Sequence, residues 1–262
     1  MNGLILAGGR GTRLWPMTIA ASKQILPVAG RPMIYFSLAT LMLARVRLIT
    51  IVVSPSSANQ IKELFGDGTR LGVELSYLVQ TEPKGVAHGF GLARKQNRDS
   101  RTLAILGDNF FYGPGLGNAL IETISQSDNT KIFAKQSSTP SQFGVLEFDE
   151  HENLRQLIEK PESPPSDWVA TGLYDFKPGD LEKCQHVQPS LRGEQEITDL
   201  INAVKAESPV DVVKVPRSTY WSDLGDSEEI KYASNLISSI EASQGHGVLL
   251  PEIISLQNGW MS

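Results

Sequence analysis

In the first half of the chain, short apolar runs alternate with longer stretches of mixed hydrophobic and polar character. Gly3 to Ala7 reads as a buried strand, and the β-branched run Leu48 to Val53 reads as a second. Glu74 to Val79 and Thr102 to Leu106 read as two more strands. Between these runs, apolar spacing predicts helices over Pro32 to Ala44, with Pro in the first turn, over Ser56 to Phe65 and over Gly85 to Lys95. Strand, helix, strand, helix is the pattern of βαβ units, and it predicts a doubly wound, mostly parallel α/β sheet.

After about residue 130 the pattern changes. Lys131 to Lys135, Gly144 to Phe148, Leu154 to Glu159 and Trp168 to Phe176 are strand-like, and no helix signal precedes Pro178. A β-rich lobe, antiparallel or mixed, is therefore expected as an insertion laid against the first sheet. Helices return over Gly179 to His186, Glu196 to Ala206 and Asp226 to Ser243. With no internal repeat and no low-complexity tract, the chain reads as one domain, with a first half to about residue 130 and a second part over about 131–262.

Composition acts mainly by exclusion. The 262 residues, 40% hydrophobic and 20% charged, suffice for one sizeable core. A net charge of −5 gives no basic field to hold nucleic acid, so any phosphate must be met by local cations and backbone N–H groups. Cys184 is the single cysteine, which excludes an intrachain disulfide and a thiolate metal cluster. His88, His151, His186 and His246 lack metal-ligand spacing and read as surface or packing residues. The apolar run in the opening MNGLILAGG is too short for a signal or a membrane span, so a cytoplasmic protein without a membrane partner is expected.

Candidate chemistry begins where the first strand ends, in Gly8-Gly9-Arg10-Gly11-Thr12-Arg13. Ligands of open α/β sheets bind beyond the carboxyl ends of strands, and glycines let backbone N–H groups approach phosphate oxygens closely. Arg13 adds a planar fork suited to phosphate. The loop is not a Walker A loop, because no Gly-Lys-Ser/Thr follows, and Leu14 stands where a dinucleotide fingerprint needs its third glycine. Asp108, at the end of the Thr102 to Leu106 strand, and Asp223, in Tyr220-Trp221-Ser222-Asp223-Leu224-Gly225, are carboxylates of the kind that share a magnesium ion with substrate phosphates.

The pattern from Leu4 to Val28, with Ser22-Lys23-Gln24-Ile25-Leu26-Pro27-Val28 after the glycine loop, resembles the signature of the sugar-1-phosphate nucleotidyltransferases. Phe143-Gly144-Val145, Glu159-Lys160-Pro161, Thr171-Gly172-Leu173-Tyr174 and Arg192-Gly193-Glu194 follow in the family's order. The resemblance implies a Rossmann-like nucleotidyltransferase fold with a sugar-binding lobe. It also implies that Gly8, Gly9, Gly11, Thr12, Arg13 and Lys23 meet the triphosphate, and that Asp108 and Asp223 hold Mg²⁺. Lys160 and Arg192 would hold the sugar phosphate, Asn109, Gly144, Glu159 and Val169 would line the sugar pocket, and Gln80 and Gly85 would meet the base. Within the family the chain is most similar to the thymidylyltransferases. That implies dTTP and glucose 1-phosphate as substrates and a homo-oligomer, dimer or tetramer, formed through the second part. UTP, CTP or another sugar phosphate, and a non-catalytic nucleotide-sugar-binding homologue, stand as alternatives. Ile19, Ala20, Lys84, His88 and Asp226 depart from common family residues, and the sequence ends soon after Trp260, where relatives commonly continue.

Overall fold

The computed structural model describes residues 1–9 and 11–261. In chain order its elements are β1 (Asn2–Ala7), β2 (Pro27–Val28), β3 (Arg31–Pro32), α1 (Ile34–Leu43), β4 (Leu48–Val53), α2 (Ala58–Phe65), β5 (Glu74–Val79), α3 (Val86–Leu92) and β6 (Thr102–Leu106). There follow β7 (Phe110–Tyr112), α4 (Leu116–Ser125), β8 (Thr130–Gln136), β9 (Gly144–Phe148), β10 (Leu154–Glu159), β11 (Trp168–Phe176), α5 (Ile197–Glu207), β12 (Val210–Lys214), β13 (Tyr220–Ser222), α6 (Ser227–Gln244) and α7 (Pro251–Gln257).

One nine-stranded sheet runs through both halves, with β10-β9-β11-β6-β1-β4-β5 as its main path and β8 and β12 branching from β11. β1 pairs parallel with β4 and β6, and β4 pairs parallel with β5. All four strands therefore end on the same edge, and from that edge emerge the glycine loop, the segment after Val79 and Gly107-Asp108-Asn109. Side chains alternate between two cores, as a period of two requires. Ile5, Ile51 and Ile105 pack with Leu38 and Met42 of α1 and Phe65 of α2, whereas Leu4, Leu6 and Val52 pack with Phe90 of α3 and Leu200 of α5. Apolar cover on both faces explains why β1, β4 and β6 show no regular polar alternation, whereas the edge strand β5 does.

β11 joins the halves. Its C-terminal end pairs antiparallel with β6 and its start with β9, and its ladder with β8 shifts between Ala170 and Tyr174. Gly172 sits in that shift at φ 75°, where a Cβ would lie 2.8 Å from Asn109 Nδ2. Below this joint Asp175, wholly buried, accepts hydrogen bonds from Arg101 Nε (2.8 Å) and Nη2 (2.7 Å), with Lys131 Nζ at 3.8 Å. A third, smaller core places Phe36, Phe110, Leu224 and Ile237 under α6, beside the two-stranded β7–β13 ribbon.

The strands and helices expected from the sequence are present with ends moved by a few residues. Pro32 belongs to β3, so α1 starts at Ile34, and Asp180–His186 is a 3-10 helix. No described helix is long and apolar enough to cross a membrane.

Candidate active site

The glycine loop closes against its own sequel. Gly11 is left-handed at φ 62°, and a Cβ there would lie 2.9 Å from both the Lys23 Cβ and Thr18 Cγ2. Thr18 Oγ1 donates to the Gly11 carbonyl at 3.1 Å, and Thr12–Leu14 forms one 3-10 turn. Arg10 lies outside the described residues. Gly8, Gly9, Gly11 and Thr12 line one wall of a cavity of about 520 Å³, and Gln80, Pro83, Gly85 and Val86 line the facing wall. Gly85 has φ 104° and its Cβ position is filled by the Gln195 main chain, so the tight passage there is restricted to glycine.

A second cavity, of about 180 Å³, lies beside the first. Arg13, Asp108, Asn109, Gly144, Glu159, Lys160 and Asp223 line it, and Arg192 lines both cavities. The fold thus brings residues from distant segments to one place. Lys23 is 5% exposed, and its Nζ donates to Asp108 Oδ2 at 2.7 Å and to the Asp223 carbonyl at 3.3 Å. Arg13 Nη2 reaches Asp223 Oδ2 at 3.2 Å. Arg192 Nη2 reaches Glu196 Oε1 at 2.9 Å and Glu159 Oε1 at 3.1 Å. Lys160, at φ 42°, has its Nζ 3.6 Å from Glu159 Oε1. A non-glycine residue in the left-handed region is uncommon, and the Lys160 N–H to Phe143 carbonyl bond helps to hold it there. Two of the expected residues line neither cavity: Lys23, which meets the smaller one through Asp108 and Asp223, and Val169. The Val169 side chain is wholly buried, and its neighbours Ala170 and Thr171 form the wall instead.

Burial raises Asp223 well above the usual carboxylate range, and the nearby Glu229 carboxylate adds to the effect while Lys23 and Arg13 oppose it. Glu159 is likewise raised, first by burial and then by Glu196, against Lys160 and Arg192. The site therefore holds carboxylates that are short of positive charge, although each of its cations already faces at least one of them. An oxygen-only donor pair of this kind fits a hard divalent ion that completes its shell with substrate phosphates and water. Among the described residues no group of three His, Cys, Asp or Glu side chains could hold a metal alone.

Three further residues matter that sequence motifs did not assign. Trp221 Nε1 donates to Asn109 Oδ1 at 2.7 Å and to the Thr171 carbonyl at 2.9 Å, which ties the loop after β6 to β11. Glu229 Oε2 accepts from Ser222 Oγ at 2.9 Å and from the Gly225 N–H at 3.1 Å, bracketing Asp223. His88 Nδ1 stands 2.9 Å from Gln80 Nε2. Trp221 lies within a motif and could have been singled out there, and His88 stands out only as a departure from the common family residue, but Glu229 has no local signal.

The nucleotidyl transferase family profile matches residues 2–239. The chain belongs to the nucleotidyl transferase family. It is 38% identical over 262 residues to a glucose-1-phosphate thymidylyltransferase of Neisseria meningitidis, covering 100% of this chain and 91% of the relative. With a glucose-1-phosphate thymidylyltransferase of Mycobacterium tuberculosis it shares 39% identity over 261 residues, 100% of this chain and 90% of the relative. Among solved structures, a Bacillus anthracis protein classed with the glucose-1-phosphate thymidylyltransferases superposes with a TM-score of 0.81 at 30% identity, covering 90% of this chain and 94% of that one. A UDP-glucose pyrophosphorylase at 20% identity and TM-score 0.80 shares the fold. The mixed central sheet with flanking helices is the α/β fold of these nucleotidyltransferases.

Proposed function

We propose that the protein transfers a thymidylyl group from dTTP to glucose 1-phosphate, giving dTDP-glucose and pyrophosphate. The observation that carries this reading is the junction of the two cavities. A glycine-walled chamber with the Gln80 amide in its lining adjoins a smaller chamber lined by Glu159, Lys160, Arg13, Asp108 and Asp223, and Arg192 lines both. Full-length relatives named for this activity add to the support.

In the proposed reaction a phosphate oxygen of the sugar phosphate attacks the α-phosphorus in line. The new P–O bond forms as the bond from the α-phosphorus to the β-phosphate oxygen breaks, and the electron pair leaves with pyrophosphate. The attacking phosphate is already anionic, so no protein nucleophile is required. The obstacle is bringing two anions together, and the main task of the protein is positioning and charge compensation. Gly8, Gly9, Gly11 and Thr12 offer backbone donors to the triphosphate, and Arg13 and Lys23 balance its charge. Lys160 and Arg192 hold the sugar phosphate, with Asn109, Gly144 and Glu159 around the sugar. Gln80 and Gly85 face the base. Asp108 and Asp223 would hold Mg²⁺, which when bound adds positive charge at the transferring phosphoryl group. A cytoplasmic homo-oligomer is part of the same reading, and light scattering of the purified chain tests the assembly.

The deciding experiment is pyrophosphate release with Mg²⁺ across dTTP, UTP, CTP, ATP and GTP, each against several sugar 1-phosphates. The expected result is a dominant signal for dTTP with glucose 1-phosphate. A peak at another pair would replace the substrates and keep the chemistry. Silence across the grid from folded protein would overturn the enzyme reading in favour of a nucleotide-sugar-binding homologue.

A further inference from the structure

Gln80 is 5% exposed at the end of β5, and its side-chain amide is the polar group at the back of the larger cavity. Its Nε2 has two hydrogens and two neighbours. One is the Gly85 carbonyl at 3.2 Å, which can only accept, so the nitrogen rather than the oxygen must face it. The other is His88 Nδ1 at 2.9 Å. Because Nε2 is a donor, Nδ1 must be the bare nitrogen of the ring, with the proton on its Nε2. Burial and then Lys84 lower the His88 pKa, and only the weaker pull of Glu82 opposes them, which favours the neutral ring that this contact needs. Both amide hydrogens are then used inside the protein. Among the described residues no donor reaches Gln80 Oε1, and it is not an enclosed, unpartnered atom. It lies beside Gly8, where an added Cβ would come within 2.5 Å of it.

We propose that His88 is a specificity-positioning residue: by fixing the Gln80 amide it presents the base with an acceptor only. The proposal rests on reading the larger cavity as the nucleobase site. A carbonyl oxygen held there matches a pyrimidine whose ring N3 carries a hydrogen, as thymine and uracil do. Cytosine has a lone pair at the same ring atom, which would face Oε1 lone pair to lone pair. It can bring its amino hydrogen to Oε1 only by sliding across the cavity. A rotated Gln80 would suit cytosine, but rotation would set Oε1 against the Gly85 carbonyl and leave the bare nitrogen of His88 without a donor. His88 thus acts on a base it does not touch.

Equilibrium binding of dTTP, UTP, CTP and N3-methyl-dTTP to the intact chain and to His88→Phe and His88→Asn tests this. Wild type should bind dTTP and UTP each about tenfold or more tighter than CTP, and dTTP as much tighter than the N3-methyl probe, since one missed buried hydrogen bond is worth that much. His88→Phe removes the acceptor while filling the space, and should bring dTTP and CTP to within about threefold of each other. His88→Asn places an amide oxygen near the former Nδ1 and should keep most of the discrimination, which mere loss of packing would not do. An unchanged ratio in folded His88→Phe overturns the proposal. So does equal binding of dTTP and its N3-methyl form by wild type, a readout that survives if the Phe variant does not fold. Pyrophosphate release measured alongside separates the two readings. Base discrimination without turnover removes the transferase reading and leaves this one, and turnover without discrimination does the reverse.

Discussion

Lys23 carries three ammonium hydrogens, of which two are directed to Asp108 Oδ2 and the Asp223 carbonyl. Its side chain is 6% exposed and that of Asp108 24%, so the pair is shielded on one side and open to the cavity on the other. The third hydrogen has no partner among the described residues, and in the proposed reaction it meets an incoming phosphate oxygen. Lys23→Met should therefore lower turnover about a hundredfold, the usual effect of losing one group that balances developing charge. Because Asp108 stays partly hydrated, the stability cost should stay below about 2 kcal/mol. Steady-state rates and a thermal melt check both. Asp108→Ala should reduce turnover at least as much, and a variant with near-normal rates would remove Asp108 from the proposed metal site. Ser255 on α7 points the other way. Its hydroxyl is wholly buried without a partner among the described residues, so Ser255→Ala should leave the melting point unchanged or raise stability by up to about 1 kcal/mol. The identities of Lys23, Asp108 and Asp223 were legible in local motifs. That Lys23 also holds the Asp223 main chain was not, because the contact spans 200 positions of sequence.

At the scale of elements, the start of α6 is built as an anchor. Asp226 caps it by accepting from the Glu229 N–H at 3.0 Å, and the Glu229 side chain turns back to the Gly225 N–H. The arrangement is a capping box shifted by one residue, and it ties the loop carrying Asp223 to a helix of 18 residues. Asp226→Ala should cost about 1 kcal/mol, seen as a fall of roughly 2–4 °C in melting temperature. The largely apolar runs of β1, β4 and β6 were readable because packing on both faces leaves little room for polar residues. The elements that escaped are those with weak patterns. β7 and β13 are three residues each, too short to alternate. α4 buries only Leu120, and β12 is at most half-buried along its whole length. α7 was hidden by its brevity and by a start at Pro251. For Val169 the family pattern located the strand but not which way its side chain faces.

For the molecule as a whole, β11 and the buried cluster beneath it unite the two halves. Arg101→Met would leave Asp175 with Lys131 alone, and should cost about 3 kcal/mol at neutral pH. Burial already holds the Asp175 carboxyl above its ordinary range against the pull of both cations, and removing Arg101 raises it further. The folded state then keeps the proton to higher pH than the unfolded chain does, so stability falls as pH climbs from the unfolded carboxylate range through the folded value. The variant's deficit should thus be smaller near pH 5 than near pH 7, as roughly set by these carboxylate ranges. Denaturant titrations at the two pH values check this, and a single transition is expected because the sheet is continuous. The small β7–β13 ribbon has a consequence of a different kind. Its register sets Ser222 against Phe110, so Asn109 and Asp223 are the first residues off the ladder on its two strands, with Asp108 one step beyond. The distance between the two carboxylates is thereby gauged by adjacent backbone rungs rather than by the hundred or so residues looped between them. The surface loops of that long excursion can be lengthened or trimmed without resetting the gauge, as long as β11 keeps its place beside β6. A lineage or a designer could vary those loops and inherit the spacing of the two carboxylates.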